Sequence, residues 1–433
     1  MIRSVIDSWL ARSVLLAFVV SCAPSSLVRV AQSGERAALA AQIDAKLKAG
    51  ELSAGDVREI SRTMLQFELA SAKDGDVVKR LDEASSCARL IVDFLDERRR
   101  RHDDAGARAA MMLLELGRLD PSEVRDRSNE NDADWRAVGV RGLVRDGDAP
   151  ARAKALGDPD ARVRRSALRA IDAAKNATDA ARLLETAQFD PETINRHQAV
   201  RILATFESVS GPEVTALRDL WESADEILRR EIATAWAASN GLFANGGREQ
   251  LIVLLAAGGL SASAIAASAA VARFHRVDKE LDALAVATLE RALLHGSRFD
   301  KVHALSAASA TDSKIVHDAV LKLADDPDAE IRLALHTQLA ALPERRAESL
   351  AALWVFARDH DHPVAPKARQ ALARLGVRSV LPLLERDTGD KNAEVRLGAV
   401  DALLVLDAGP RAAKVITDSD VSVRTRAVCA LGR

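Results

Sequence analysis

The sequence predicts an all-α fold, an α-solenoid of stacked helical hairpins, and three observations lead there. One register recurs at a nearly constant interval over most of the chain, its apolar residues keep helical spacing, and the composition favours helices over strands. Of the 433 residues, 48% are hydrophobic but only 3% are aromatic, with no tyrosine at all. Ala, Leu, Arg, Glu and Asp dominate, which is a helix-forming vocabulary. The formal net charge of −2 lacks the basic excess of nucleic-acid-binding domains, so no nucleic-acid partner is expected. Three cysteines, Cys22, Cys87 and Cys429, lie far apart with no CxxC, which indicates neither a zinc knuckle nor a disulfide framework.

Residues 1–21 have the layout of a secretory signal peptide: Arg3 and Arg12 near the start, the apolar run Val14 to Val20, then Val19-Val20-Ser21-Cys22. The run is too short for a membrane-spanning helix, which needs roughly 20 residues. Those four residues resemble the lipobox of bacterial lipoproteins. The resemblance implies cleavage after Ser21, lipidation of Cys22 and membrane attachment through that anchor. Residues 22–35, opening with Ala23-Pro24-Ser25-Ser26, read as a tether. Residues 36–129 are expected to form an N-terminal helical cap, with helices over Leu52 to Ala72, Val77 to Arg99 and Ala105 to Leu116.

The repeat array occupies residues 130–433. Its register is Asp, one residue, Asp, two residues, Val-Arg, two residues, Ala, two residues, Ala-Leu. It is clearest in Asp158-Pro159-Asp160 with Val163-Arg164, Ala167, Ala170 and Ile171, and recurs from Asp326, Asp390 and Asp418. Weaker copies start at Glu130, Asp190, Ser223 and Asp359. Successive starts are 28 to 33 residues apart except for one gap of 103, which holds degenerate copies near Ser261 and Gly296. The first Asp is expected to cap the motif helix, Pro to occupy its first position and the second Asp to favour its positive end. Residues five, nine, twelve and thirteen after the cap share one buried face. The arginine at six (Arg136, Arg164, Arg196, Arg229, Arg332, Arg396, Arg424) flanks that face and is expected to bond the acids of an adjacent repeat. Partner helices over Pro212 to Trp221, Lys279 to Leu294 and Glu344 to Ala357 complete the hairpins.

Several features invite sharper readings. Gln250 to Ala272 carry no charge, yet Gly258-Gly259 divides the stretch and the register runs through it, so a buried hairpin is favoured over a membrane span. His360 and His362 have no third ligand nearby and read as a polar turn, not a metal site. Pro366 delays or bends the helix that follows. Arg98 to Arg101 read as a solvated helix end. Trp135, Trp221, Trp236 and Trp354 fall at packing positions, although a role in stacking bases is the alternative.

The most informative surface is the stripe at four, seven and eleven residues after the cap. It reads Asp134, Ala137, Arg141; Arg162, Arg165, Arg169; Ile194, His197, Arg201; Ile227, Arg230, Thr234; then Glu330, Leu333, Thr337 and Glu394, Leu397, Asp401. The first half is basic and the second acidic or apolar. The expected partner-binding residues are therefore Arg141, Arg162, Arg165, Arg169, His197, Arg201 and Arg230, facing an acidic segment of a protein partner.

The repeat residues closely resemble the HEAT family, in the short form of bacterial proteins and of the bilin-lyase group. The resemblance covers roughly residues 130 to 433 and is specific for fold, not activity. It implies a curved right-handed superhelix that binds proteins along its concave face; no cofactor is expected. An enzyme or enzyme accessory of the bilin-lyase type is the alternative. No histidine is followed by Glu, unlike the iron-binding deoxyhypusine hydroxylase relatives, and there is no GxSxG, HExxH or Walker loop. The expectation is a non-catalytic scaffold exported to the bacterial periplasm or held on a membrane there. Because no polar helix follows the last motif, that end is expected to dock on another protein or a second copy.

Overall fold

The computed structural model describes residues 26–432 other than 73, 174–178, 207–210 and 276; the leader, Cys22 and its cleavage site lie outside them. Among the described residues every regular element is helical and there is no strand. Contacts divide the chain into two units, one of residues 102–368 and one joining Met1–Arg101 to Arg369–Arg433. The division differs from the expected boundary at 129/130. The helices Asp104–Glu115 and Pro121–Arg127 pack on Ala133–Arg145 and belong with the repeats.

In the 102–368 unit, the motif helices are Ala133–Arg145, Ala161–Ala173, Thr193–Leu203, Glu226–Ala238, Ala262–Phe274, Arg298–Ala308 and Ala329–Leu339. Each packs on the next in the series. Helices such as Ala149–Leu156, Ala180–Phe189, Lys279–His295 and Lys314–Lys322 alternate with them in the chain and make a second row. One buried core runs from Ala133 to Ala285 and a second from Ile265 to Leu335, built mainly of Ala, Leu, Val and Ile. Small residues set the spacing. A Cβ on Gly139 would overlap the backbone of Arg127 and Ser128, so only glycine admits the Pro121–Arg127 helix there. The uncharged stretch forms two helices, Arg248–Ala256 and Ala262–Phe274, and no helix among the described residues is long and apolar enough to cross a membrane. Trp135 and Trp236 are 1% and 2% exposed, core positions that leave no ring face for a base. The Pro363-Val364 turn delays the next helix to Ala365.

The two acids of the register divide their work differently from the expectation. The second acid or its replacement caps the helix: Asp132, Asp225, Ser261, Ser297, Asp328, Asn392 and Asp420 each accept a first-turn N–H. The first acid closes a small turn by accepting the N–H two residues on, as at Asp158, Asp190, Asp326, Asp390 and Asp418. Its remaining capacity takes a cation from the preceding repeat. Arg136 grips Asp158 at 2.8 and 3.0 Å, Arg164 grips Asp190 at 2.7 and 2.9 Å, and Arg396 grips Asp418 at 2.6 and 2.7 Å. The third guanidinium nitrogen reaches carbonyls at the start of the arginine's own repeat, Glu130 and Asn131 for Arg136, Asp158 and Pro159 for Arg164. One planar fork thus fixes a loop and its neighbour together, which an ammonium cannot do. Lys301 takes the same place for Asp326 with a single bond of 2.7 Å. Burial pushes the Asp158, Asp190 and Asp418 carboxyls up, but the arginine and the turn N–H outweigh it and hold each below the ordinary carboxylate range.

The other unit is discontinuous in sequence. From Ser26 the expected tether is instead a helix, Ser26–Ser33, which buries Leu27, Val28 and Ala31 and packs on Ala54–Ala70. The single helix expected over 77–99 is broken into Asp74–Glu83, a 3₁₀ segment Ser85–Ile91 and Val92–Arg98, with Cys87 off helical geometry. The last motif helix, Val421–Leu431, lies against Ala54–Ala70, and the 3₁₀ segment Gly409–Thr417 against Arg36–Ala49. Val423, Ala427, Val428, Ala430 and Leu431 are all buried. The face expected to be open and to self-associate is therefore already covered by the chain's own N-terminal helices.

That contact is polar as well as apolar. Glu68 is 2% exposed and is reached by Arg36 at 2.7 Å, Arg424 at 3.2 Å and Arg80 at 3.6 Å. Ser61 donates to the Val428 carbonyl at 2.8 Å and Arg426 to Ser86 at 2.9 Å. Cys87 and Cys429 form a disulfide across 342 residues of sequence. The expectation of no disulfide is thus corrected.

Candidate interaction surface

The stripe residues of the 102–368 unit are brought to one side by the stacking of their helices, but they are not a free cationic groove. Arg141 bonds Glu115 at 2.9 Å and is 17% exposed. Arg162 bonds Asp134 at 2.8 Å and Asp160 at 3.0 Å. Arg201 and Arg230 share Glu231, at 3.0 and 3.4 Å. His197 lies 3.4 Å from Asp225, whose carboxyl is held low by the Leu228 N–H, against burial, and by His197. Position seven is also less outward than expected: Ala137 and Leu333 are buried, and Arg165, His197 and Arg230 half-buried.

Two cations fall outside this pairing. Among the described residues Arg165 meets only the amide oxygen of Asn195, at 3.4 Å, and Asn195 is fully buried with its NH₂ turned toward the carboxylate of Asp190. Arg169 is exposed, one turn further along the same helix, and no described side chain pairs with it. Beside them stand two aliphatic side chains that charge-based reasoning set aside. Ile194 is 54% and Ile227 52% exposed, at equivalent first-turn positions of the next two motif helices. Asn195 ties the first turn that carries Ile194 to Arg165, and the His197–Asp225 pair ties it to the turn that carries Ile227. The surface is therefore amphipathic, with cations on Ala161–Ala173 and aliphatics on Thr193–Leu203 and Glu226–Ala238.

A cleft of about 360 Å³ in the same unit is lined by Leu156, Arg182, Glu185, Phe189 and the Arg164–Asp190 pair. Both members of that pair are already saturated, and Phe189 is 73% exposed at its rim. Among the described residues no three His, Cys, Asp or Glu side chains group as metal ligands; His360 and His362 lie in the turn before Ala365.

Comparison with family models and with curated proteins finds no match to this chain.

Proposed function

We propose that this chain is a non-catalytic protein-binding scaffold, a right-handed HEAT-like solenoid of helical hairpins, working outside the cytoplasm of a bacterium. The observation that carries the reading is the unbroken packing of motif helix on motif helix from Ala133 to Leu339, which sets equivalent side chains of successive repeats side by side. A surface of that kind grows with each repeat and suits an elongated segment of another protein. The Arg–Asp forks between repeats support it further, because they hold neighbouring hairpins in fixed register. The Cys87–Cys429 disulfide supports the extracytoplasmic part, since such bonds persist in oxidising compartments and are rare in the cytosol. It agrees with the signal-like leader and the proposed lipid anchor at Cys22. Cell fractionation of a tagged chain, with a Cys22→Ala variant and intact-mass measurement, tests the location. Envelope recovery with a lipid-sized mass increment that Cys22→Ala abolishes is expected, and a cytosolic chain of unprocessed mass refutes it. Cross-linking in intact envelopes tests the scaffold reading; recovery of the chain free of any heterologous protein argues against it.

A further inference from the structure

We infer that the surface formed by Arg165, Arg169, Ile194 and Ile227 receives a short extended segment of a partner protein in which an acidic residue is followed, at every third position, by aliphatic ones. The inference rests on the scaffold reading and names the partner chemistry for it.

Charge complementarity selects the acid. Every other cation of the stripe is answered by a carboxylate of its own or a neighbouring repeat, whereas Arg165 has one long amide contact and Arg169 has no described partner. An incoming carboxylate meets guanidinium groups that surrender no ion pair to a described residue in binding it. Asp134 and Asp160, the acids beside the start of the Ala161–Ala173 helix, are already bonded to Arg162. An acidic residue of the ligand is therefore received by Arg165 and Arg169, and its aliphatic residues by Ile194 and Ile227.

Geometry selects the spacing. Packed helices lie about 8–10 Å apart, so Ile194 and Ile227, at equivalent positions of consecutive motif helices, recur at about that interval, with Arg165 on the motif helix before them and one turn further along it. A polyproline-II segment rises about 3.1 Å per residue with three residues per turn, which returns a side chain to the same face every 9.3 Å or so. The two periods agree. A β-strand repeats its face about every 6.6 Å and drifts out of step with the helices. The motif that fits is an Asp or Glu, two residues, an aliphatic, two residues and a second aliphatic. Proline is welcome between them, because it lowers the entropy lost on binding.

The test is selection of a random dodecapeptide phage library on the full chain, followed by fluorescence titration of the enriched peptides against variants. Arg169→Glu is the primary variant, since its side chain is exposed and removing it breaks no described contact. Ile194→Ser with Ile227→Ser is the second. Enriched peptides carrying the acid and the threefold aliphatic spacing are expected. So is a loss of affinity of about tenfold or more in each variant, together with weakening as salt rises. Enrichment of peptides without the acid, or binding that neither variant moves, overturns the assignment of this surface while leaving the scaffold reading in place. Failure of any peptide to enrich likewise overturns the assignment of this surface, while the scaffold reading falls only if cross-linking recovers no heterologous protein.

Discussion

Removing the Cys87–Cys429 bond probes the discontinuous unit most directly, and Cys87→Ala with Cys429→Ala is the cleanest way to do it, since both side chains are buried and alanine introduces no polar group. The bond closes a loop between residues 342 apart, for which the chain-entropy relation gives about 6 kcal/mol at 25 °C when the whole chain unfolds together. If the 102–368 unit stays folded while the other opens, the flexible part of the loop is only about 75 residues, 88–101 and 369–428, and the same relation gives about 4.5 kcal/mol. With a urea slope of about 1–3 kcal/mol/M, either case lowers the midpoint of that unit by roughly 1.5 M or more. The assay is urea unfolding of oxidised wild type, reduced wild type and the double variant, followed by circular dichroism. Reduced wild type and the variant are expected to coincide, well below the oxidised protein. Equal midpoints for all three refute the reasoning, as does a thiol titration of denatured, unreduced protein that finds Cys87 and Cys429 free.

Other perturbations test the packing between repeats. Arg164→Ala leaves the buried Asp190 carboxylate without its cation and is expected to cost about 3–5 kcal/mol in urea unfolding. Arg162→Ala removes exposed pairs and is expected to cost less than about 1 kcal/mol; equal losses in the two variants contradict the fork description. Gly139→Ala forces the Pro121–Arg127 helix away from Ala133–Arg145 and is expected to cost about 1–3 kcal/mol, read as a lower melting temperature. Asp158, Asp190, Asp326 and Asp418 all titrate below their ordinary value of 3.8 in the folded chain. Groups depressed on folding stabilise above the unfolded value, and that stability disappears as pH falls through the folded one. The urea midpoint is therefore expected to decline below about pH 4, and Asp190→Asn to flatten the decline; a midpoint indifferent to acid contradicts this.

What the sequence discloses depends on how far each contact reaches. The motif helices were legible because their signals are local: a cap, an apolar face at 3.6-residue spacing and small residues at the crossing. The division of labour between Asp158 and Asp160 was not, because both are good caps and what separates them is Arg136, 22 residues earlier. The same applies to the stripe. Its periodicity stands in the sequence, but the charge of Arg141 and Arg201 is cancelled by Glu115 and Glu231, 26 and 30 residues away, so a count of arginines overstated the groove. Ile194 and Ile227 were visible at their positions and were passed over in favour of charge. The least legible contacts were the longest. Nothing near Cys87 announces Cys429, and the break in the helix around Cys87 makes sense only with the last motif helix in place.

The discontinuous unit also fixes an order of manufacture. Residues 102–368 form a unit whose internal contacts are all available once that stretch has left the ribosome. The helices made before it do not: Ser61, Glu68, Ser86 and Cys87 wait for Val428, Arg424, Arg426 and Cys429, which are added only after that stretch. A chain halted between Ala368 and Gly409 carries the 102–368 stretch complete and an apolar N-terminal face that the Gly409–Thr417 and Val421–Leu431 segments do not yet cover, the kind of surface that chaperones and proteases recognise. Joining segments made before and after residues 102–368 thus delays folding of the discontinuous unit until Cys429 has been added, and a product that stops short of it exposes itself to removal.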